Sequence, residues 1–166
     1  MSDKIQALKY LSPPMSEDTE VVGPVALYLF ASIETDDTNW IAALYDVDEH
    51  GLEQFLGKGT LKASHRAIDK SKSKPWQPYH PHTSSERVIP GEVYEYAIEV
   101  APIANMFKAG HRIKLEIKSM VSPKEPEFLI HFHPLLCSSR TTVHRIYRNK
   151  EFESHLILPI IPKKEQ

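Results

Sequence analysis

Apolar and polar residues alternate with a period of two along much of this chain, and long helical periodicity is missing. In the stretch HRIKLEIKS from His111, the residues Ile113, Leu115 and Ile117 would face one way and the charged residues between them the other. Such alternation is typical of an antiparallel strand with one buried face. Thirteen prolines and six glycines separate the short segments. Roughly eight or nine strands joined by turns predict an all-β antiparallel sandwich or barrel.

Two segments are apolar on both faces, which predicts central strands of a packed sheet: VALYLFAS from Val25 and NWIAALYDV from Asn39. The segment EVYEYAIEV from Glu92 alternates and predicts a further half-buried strand. The sequence DEHG, residues 48–51, predicts a hairpin turn after the second central strand. The segment APIANMFKAG, residues 101–110, is predicted to form one short helical turn between strands.

The longest interruption of this pattern covers residues 64–90, which hold four prolines, many polar residues and no clear period. We predict a long surface loop there, packed by Trp76 and Tyr79, within a single domain that spans residues 1–166. A loop of this length in a compact domain is usually functional or forms an interface.

Composition excludes several classes of partner. Charged residues make up 25% of the chain and the formal net charge is −2, so the concentrated basic face that nucleic-acid binding requires is missing. The apolar run VALYLFA from Val25 is too short to cross a bilayer. Cys137 is the one cysteine, so no intrachain disulfide can form, which suits a reducing compartment. We therefore predict a cytoplasmic protein with neither a membrane nor a nucleic-acid partner.

Six segments of the chain, in this order, resemble those of one protein family. They are YLSPPMSEDTEVVGPVAL from Tyr10, TDDTNWIAALYDV from Thr35, KASHRAIDKSKSKPWQPYHPH from Lys62, PGEVYEYAIEV from Pro90, FKAGHRIKLEIKSM from Phe107 and SHLILPIIP from Ser154. Together they cover nearly the whole chain. They resemble the C-terminal non-catalytic domain of X-Pro dipeptidyl-peptidases and cocaine-esterase-like acyl hydrolases.

The resemblance implies a jelly-roll β-sandwich of the galactose-binding-domain-like type. In that family the sandwich follows an α/β-hydrolase domain that carries a Ser-His-Asp triad, packs on it and helps to shape its substrate pocket. Family members remove X-Pro dipeptides from peptide N-termini or hydrolyse esters and amides. The implied partner is an α/β-hydrolase catalytic domain, in the same longer chain or in another subunit. A sandwich without that partner would expose an apolar face and could form a homo-oligomer.

The sequence itself contains no nucleophile of the acyl-hydrolase kind. The pattern G-x-S-x-G, which places a serine on a strained turn, is absent. Adjacent Ser-His pairs occur at residues 64–65 and 154–155. Neighbouring residues of a strand face opposite ways, so neither pair is oriented for proton transfer. We predict that the chain alone is inactive, with no catalytic residue and no cofactor.

The stretch HFHP contains His131 and His133, which would share one face of a strand and could hold a metal ion together. The next residues, PLLCSSR, contain no acid, so His144 is the candidate for a third ligand. A second H-x-H pair lies in PYHPH, residues 78–82, where the central proline disfavours a ladder position. We interpret both pairs as hydrogen-bonded or half-exposed histidines without a metal. A small metal-dependent enzyme that uses these pairs is the alternative.

The predicted docking surface is the long loop with Trp76, Pro78 and Tyr79, together with the region around His131 and His133. This prediction rests on loop length and apolar exposure rather than on a motif. The leading hypothesis is therefore the non-catalytic β-sandwich domain of a serine acyl hydrolase. A free-standing module that stacks carbohydrate on Trp76 and Tyr79 remains open as a second hypothesis.

Overall fold

The computed structural model describes residues 6–120 and 142–162 and contains, within those ranges, eight β-strands and one 3₁₀ turn. The strands are β1 (Leu8–Leu11), β2 (Thr19–Ile33), β3 (Asn39–Val47), β4 (Glu53–Lys62), β5 (Tyr94–Phe107), β6 (Arg112–Lys118), β7 (His144–Tyr147) and β8 (His155–Ile157). The 3₁₀ turn, Ala63–His65, directly follows β4.

The strands form two antiparallel sheets. The first sheet has the order β1–β6–β3–β4 and the second has the order β5–β2–β7, with β8 also paired to β2. Strand β2 pairs with β5 from Thr19 opposite Phe107 to Ala31 opposite Tyr94. The two sheets share one apolar core, which confirms the predicted all-β sandwich. The galactose-binding-like subtype stays a prediction.

Inward-facing residues of both sheets form this core. The cluster takes alternate residues of β2 and β3, as a strand's period of two requires: Val25, Leu27, Leu29, Ala31, Ile33, Trp40, Ala42 and Leu44. Ile41 and Ala43, which lie between the inward residues of β3, are also only 3% exposed. The prediction that NWIAALYDV forms a central strand buried on both faces is therefore confirmed.

Of the predictions for the segments between strands, the hairpin turn is confirmed and the helical turn is wrong. The hairpin turn at residues 48–51 is confirmed, because the N–H of Gly51 donates to the carbonyl of Asp48 at 3.1 Å and Gly51 has a φ of 83°. The helical turn expected in residues 101–110 is wrong, since β5 continues as a strand to Phe107. That half of β5 pairs with the start of β2, across a register shift between Gly23 and Val25. Pairing with a strand distant in sequence overrides the local preference.

The edge strands β4 and β5 close one side of the sandwich. A Cβ atom added to Gly59 of β4 would lie 2.9 Å from the carbonyl carbon of Glu99 in β5 and 3.0 Å from Ile98 Cγ2. The two backbones are thus in contact at this point, and only glycine fits between them.

A buried polar bridge links the two sheets at another point. Asp46 of β3 is 5% exposed. Its carboxylate accepts hydrogen bonds from Asn105 Nδ2 of β5 and from His111 Nδ1, each at 2.9 Å. These partners satisfy a charge that would be costly to bury alone.

Candidate functional site

The β4–β5 loop, residues 66–93, joins the 3₁₀ turn to β5 and contains one isolated bridge, between Lys74 and Gln77. Pro78 and Val88 of this loop are fully buried, Val88 at 0% exposure. The loop is therefore fixed to the sandwich at two buried points rather than lying free on its surface.

Asp37 fixes the start of the loop. Its Oδ1 accepts the backbone N–H groups of Thr38 and Ser64, each at 3.0 Å. Its Oδ2 accepts the Ser64 hydroxyl at 2.8 Å and lies 3.2 Å from Lys62 Nζ. The Ser64 hydroxyl is thus committed to a structural carboxylate, and sequence reasoning did not single out Asp37 for this role.

A tight turn around Asp69 closes the middle of the loop. Asp69 Oδ1 accepts the N–H and the hydroxyl of Ser71, at 2.9 and 2.6 Å. The hydrogen bond from the Ser71 side chain is the main cause that lowers the pKa of Asp69. The N–H of Asp69 donates to the carbonyl of Tyr79 at 2.9 Å, which ties this turn to the segment that follows Trp76.

The predicted docking residues have two different environments. Trp76 and Tyr79 are 45% and 44% exposed. Lys74 Nζ lies 6.0 Å from the centroid of the Trp76 ring, and Lys72 Nζ lies 5.1 Å from that of Tyr79. Pro78 is buried beneath them. Two rings with neighbouring cations are therefore presented to solvent, and the proline serves as their anchor.

A groove of about 450 Å³ runs between the loop and the edge formed by β4 and β5. The loop contributes Tyr79, His80 and His82 to its wall. Strand β4 contributes Lys58 and strand β5 contributes Glu99. The groove thus combines an aromatic ring, two imidazoles and charges of both signs.

His80 ties the loop to the edge of the second sheet. Its Nδ1 lies 3.0 Å from the carbonyl oxygen of Ala67 and its Nε2 lies 2.7 Å from that of Ala97 in β5. Both partners are acceptors, so a neutral ring donates to one of them and only the protonated ring donates to both. In either state both ring nitrogens of His80 face backbone oxygens.

His82 meets a histidine from a different part of the chain. Its Nδ1 lies 3.3 Å from Nδ1 of His65, the last residue of the 3₁₀ turn. The centroids of these two rings are 5.4 Å apart, and those of His80 and His82 are 5.7 Å apart. Partial burial, with repulsion from His80 and His65, lowers the pKa of His82. The sequence offered no signal for this pairing, because the two residues are seventeen positions apart.

Of the three candidate metal ligands, the structure describes one, His144. His131 and His133, like Cys137, lie outside the described residues. His144 in β7 places its Nε2 2.8 Å from Thr38 Oγ1, and its ring meets Trp40 edge to face. Burial lowers the pKa of His144. Within residues 6–120 and 142–162, no group of three or more His, Cys, Asp or Glu side chains is placed to hold a metal ion.

The second Ser-His pair is also structural. The Ser154 hydroxyl donates to the carbonyl of Tyr147 at 2.6 Å and accepts the N–H of Phe30 at 2.9 Å. The His155 ring stacks on Tyr28, with 5.1 Å between the ring centroids. Ser154 therefore joins β2 to the segment between β7 and β8, and its neighbour packs on the sheet.

No helix in the described ranges is long and apolar enough to cross a membrane.

The described residues form an antiparallel β-sandwich domain, and in both Ser-His pairs the serine hydroxyl is hydrogen-bonded to a group other than the adjacent histidine. Over residues 2–157 the chain matches the family described as the X-Pro dipeptidyl-peptidase C-terminal non-catalytic domain. The chain belongs to this family, which confirms the resemblance drawn from its six segments.

Longer proteins carry similar domains. The chain is 29% identical over 165 residues to the cocaine esterase of Rhodococcus sp. (strain MB1 Bresler), a match that covers 97% of this chain and 26% of that protein. A crystal structure of a CocE/NonD family hydrolase from Staphylococcus aureus matches with a TM-score of 0.75 and 27% identity, over 95% of this chain and 30% of that one. An α-amino acid ester hydrolase shares the fold, with a TM-score of 0.71 at 18% identity over 93% of this chain and 25% of that one. The chain therefore corresponds to a domain of CocE/NonD-type hydrolases and spans only about a quarter of the length of the curated relatives that it matches.

Proposed function

We propose that this chain is the non-catalytic domain of a serine acyl hydrolase, and that it packs on an α/β-hydrolase catalytic domain and helps to shape its substrate pocket. That catalytic domain belongs to the same longer chain or to another subunit. One observation carries the proposal: an anchored loop holds Trp76 and Tyr79 about half exposed, and Tyr79 lines a groove. Large aromatic side chains on a rigid support lose little entropy on docking and often dominate an interface.

The charge of this surface indicates the kind of face that it fits. Lys72 and Lys74 lie beside the two exposed rings. A partner surface with an apolar centre and carboxylates at its rim would complement them. The chain covers 26% of the cocaine esterase and 30% of the Staphylococcus aureus hydrolase. Most of each of those proteins lies outside the matched region, which supports a catalytic domain as the partner.

The chain alone is expected to give no hydrolysis above the uncatalysed rate, because the Ser64 and Ser154 hydroxyls are engaged by Asp37 and Tyr147. The measurement uses the purified chain with an activated ester and with an X-Pro anilide. Turnover that persists in the Ser64→Ala/Ser154→Ala variant would show that the chain carries a catalytic site of its own, and would contradict the proposal.

The double variant Trp76→Ala/Tyr79→Ala is expected to raise the Kd for the cognate α/β-hydrolase domain by at least about tenfold, which corresponds to about 1.4 kcal/mol. The physical reason is the loss of two large rings that would be buried in the interface. Isothermal titration calorimetry of the chain against that domain measures the change.

Leu52→Ala is the matched control, because Leu52 is 73% exposed on the β3–β4 turn and its removal also deletes apolar surface. Its Kd should stay within about twofold of the unchanged chain. If the double variant and the Leu52→Ala control bind the domain with equal affinity, the docking surface lies elsewhere on the chain. Saturable binding of an oligosaccharide that is lost in Trp76→Ala would instead favour the carbohydrate-binding module.

A further inference from the structure

Two imidazole nitrogens of the β4–β5 loop region are placed as metal ligands would be. Nδ1 of His65 and Nδ1 of His82 are 3.3 Å apart. Zinc–imidazole bonds of about 2.0–2.1 Å at a tetrahedral angle separate two ligand nitrogens by about 3.3–3.4 Å. The observed separation therefore fits two ligands of one tetrahedral ion.

Residues close to both histidines are held in place by hydrogen bonds. His65 ends the 3₁₀ turn, next to Ser64, whose N–H and hydroxyl both bind Asp37. His82 follows His80, whose ring faces the carbonyls of Ala67 and Ala97. The chain is therefore anchored beside both positions, which lowers the entropy cost of ordering a ligand-binding site there.

The backbone at His82 supports a site at this position. Among the described residues His82 is the one non-glycine residue with a positive φ, at 52°. This conformation is uncommon for a residue with a side chain and is concentrated at ligand and active sites.

We propose that His65 and His82 form an open, two-imidazole site for a divalent transition metal ion of the Zn²⁺, Ni²⁺ or Cu²⁺ class. Imidazole nitrogen suits these ions. Because the described residues provide no third side-chain ligand, water or an anion completes the coordination shell. His82 also lines the groove, so this shell is accessible from it. The pair differs from both H-x-H motifs, since His80 is occupied by backbone carbonyls.

The test is a titration of the untagged full chain with Zn²⁺, Ni²⁺ and Cu²⁺ by calorimetry at pH 7.5, where unperturbed histidine is mostly neutral. We expect one ion per chain, and a loss of affinity of at least about tenfold in His65→Ala and in His82→Ala. The double variant should show no measurable binding at this site. Broadening of nuclear magnetic resonance signals by Cu²⁺ should centre on residues 65 and 82.

Two controls separate this site from others. His50→Ala removes an exposed histidine of the β3–β4 turn and should leave the affinity unchanged. His131→Ala/His133→Ala removes the other candidate pair and should also leave it unchanged. Binding that survives the His65→Ala/His82→Ala double variant, or that is lost only with His131 and His133, would overturn the proposal. So would the absence of binding at about millimolar metal.

The variant His82→Gly distinguishes the loss of a metal ligand from a loss of stability. Glycine adopts a φ of 52° freely, so this variant should be at least as stable as the unchanged chain while it loses the metal. A metal ion that binds the native state raises Tm. We expect Zn²⁺ to raise the Tm of the unchanged chain and not that of His82→Gly. An equal rise in both would refute the assignment of His82 as a ligand.

Discussion

Replacing Gly59 with alanine is expected to lower the free energy of unfolding by about 3 kcal/mol or more, because the added methyl group collides with a backbone. Its Cβ would lie 2.9 Å from the carbonyl carbon of Glu99. A flexible side chain could move aside, but the paired strand β5 cannot do so without breaking its register with β2. Thermal unfolding should show a Tm lower by about 6–12 °C for a chain of this length.

Gly57→Ala provides the matched control on the same strand. A Cβ at Gly57 would lie 3.3 Å from the carbonyl oxygen of Ala101, a tight contact that a small shift can relieve. We expect a cost of about 1 kcal/mol or less there. If both alanine variants unfold at the same temperature, the close approach of β4 and β5 at Gly59 does not exist in solution.

Replacing Asp46 with alanine is expected to cost about 2–4 kcal/mol, because it removes the shared acceptor of a bridge between the two sheets. The amide of Asn105 and the ring of His111 each lose a hydrogen bond of 2.9 Å. Donors left without partners at a part-buried site carry the full desolvation penalty. Urea unfolding of the variant measures this loss directly.

Glu49→Ala controls for the removal of a carboxylate in the same region. Glu49 is 72% exposed and its contact is a 3.5 Å approach to His50, also exposed. We expect a change within about 0.5 kcal/mol. A double-mutant cycle between Asp46→Ala and Asn105→Ala should give a coupling free energy of about 0.5 kcal/mol or more. If the effects of the two substitutions on the free energy of unfolding are additive, Asp46 and Asn105 do not form a bridge between the sheets.

Strand β6 shows what an alternating sequence pattern predicts about a strand and what it does not predict. The alternation HRIKLEIKS predicted a strand with one apolar face, and β6 spans Arg112–Lys118. The pattern did not show that Lys114, on its charged face, is 3% exposed. The Lys114 ammonium pairs with Glu53 and lies 4.0 Å from the centroid of the Tyr45 ring. The polarity pattern of a strand indicates the face on which each residue lies. Whether a residue on that face is buried depends on the other strands and side chains that pack over it.

Part of the candidate site could be predicted from the sequence. Loop length and composition drew attention to Trp76 and Tyr79, and both side chains are about half exposed; their role in docking stays a prediction. The spacing of His80 and His82 suggested a pair, but His80 faces two backbone carbonyls instead. His65 is the residue that meets His82. A spacing rule works only within one regular element, and these residues lie on irregular backbone.

The sequence by itself determined the fold class, because a period of two and frequent prolines and glycines are properties of each segment alone. It also determined the family, since six segments in order are compared without knowledge of their contacts. Only the tertiary structure decided that β5 continues to Phe107, that Gly59 lies against Glu99 and that His65 meets His82. Each of these contacts joins residues far apart in the chain. Their geometry is fixed by the packing of both sheets and by loop anchors, which no local pattern encodes.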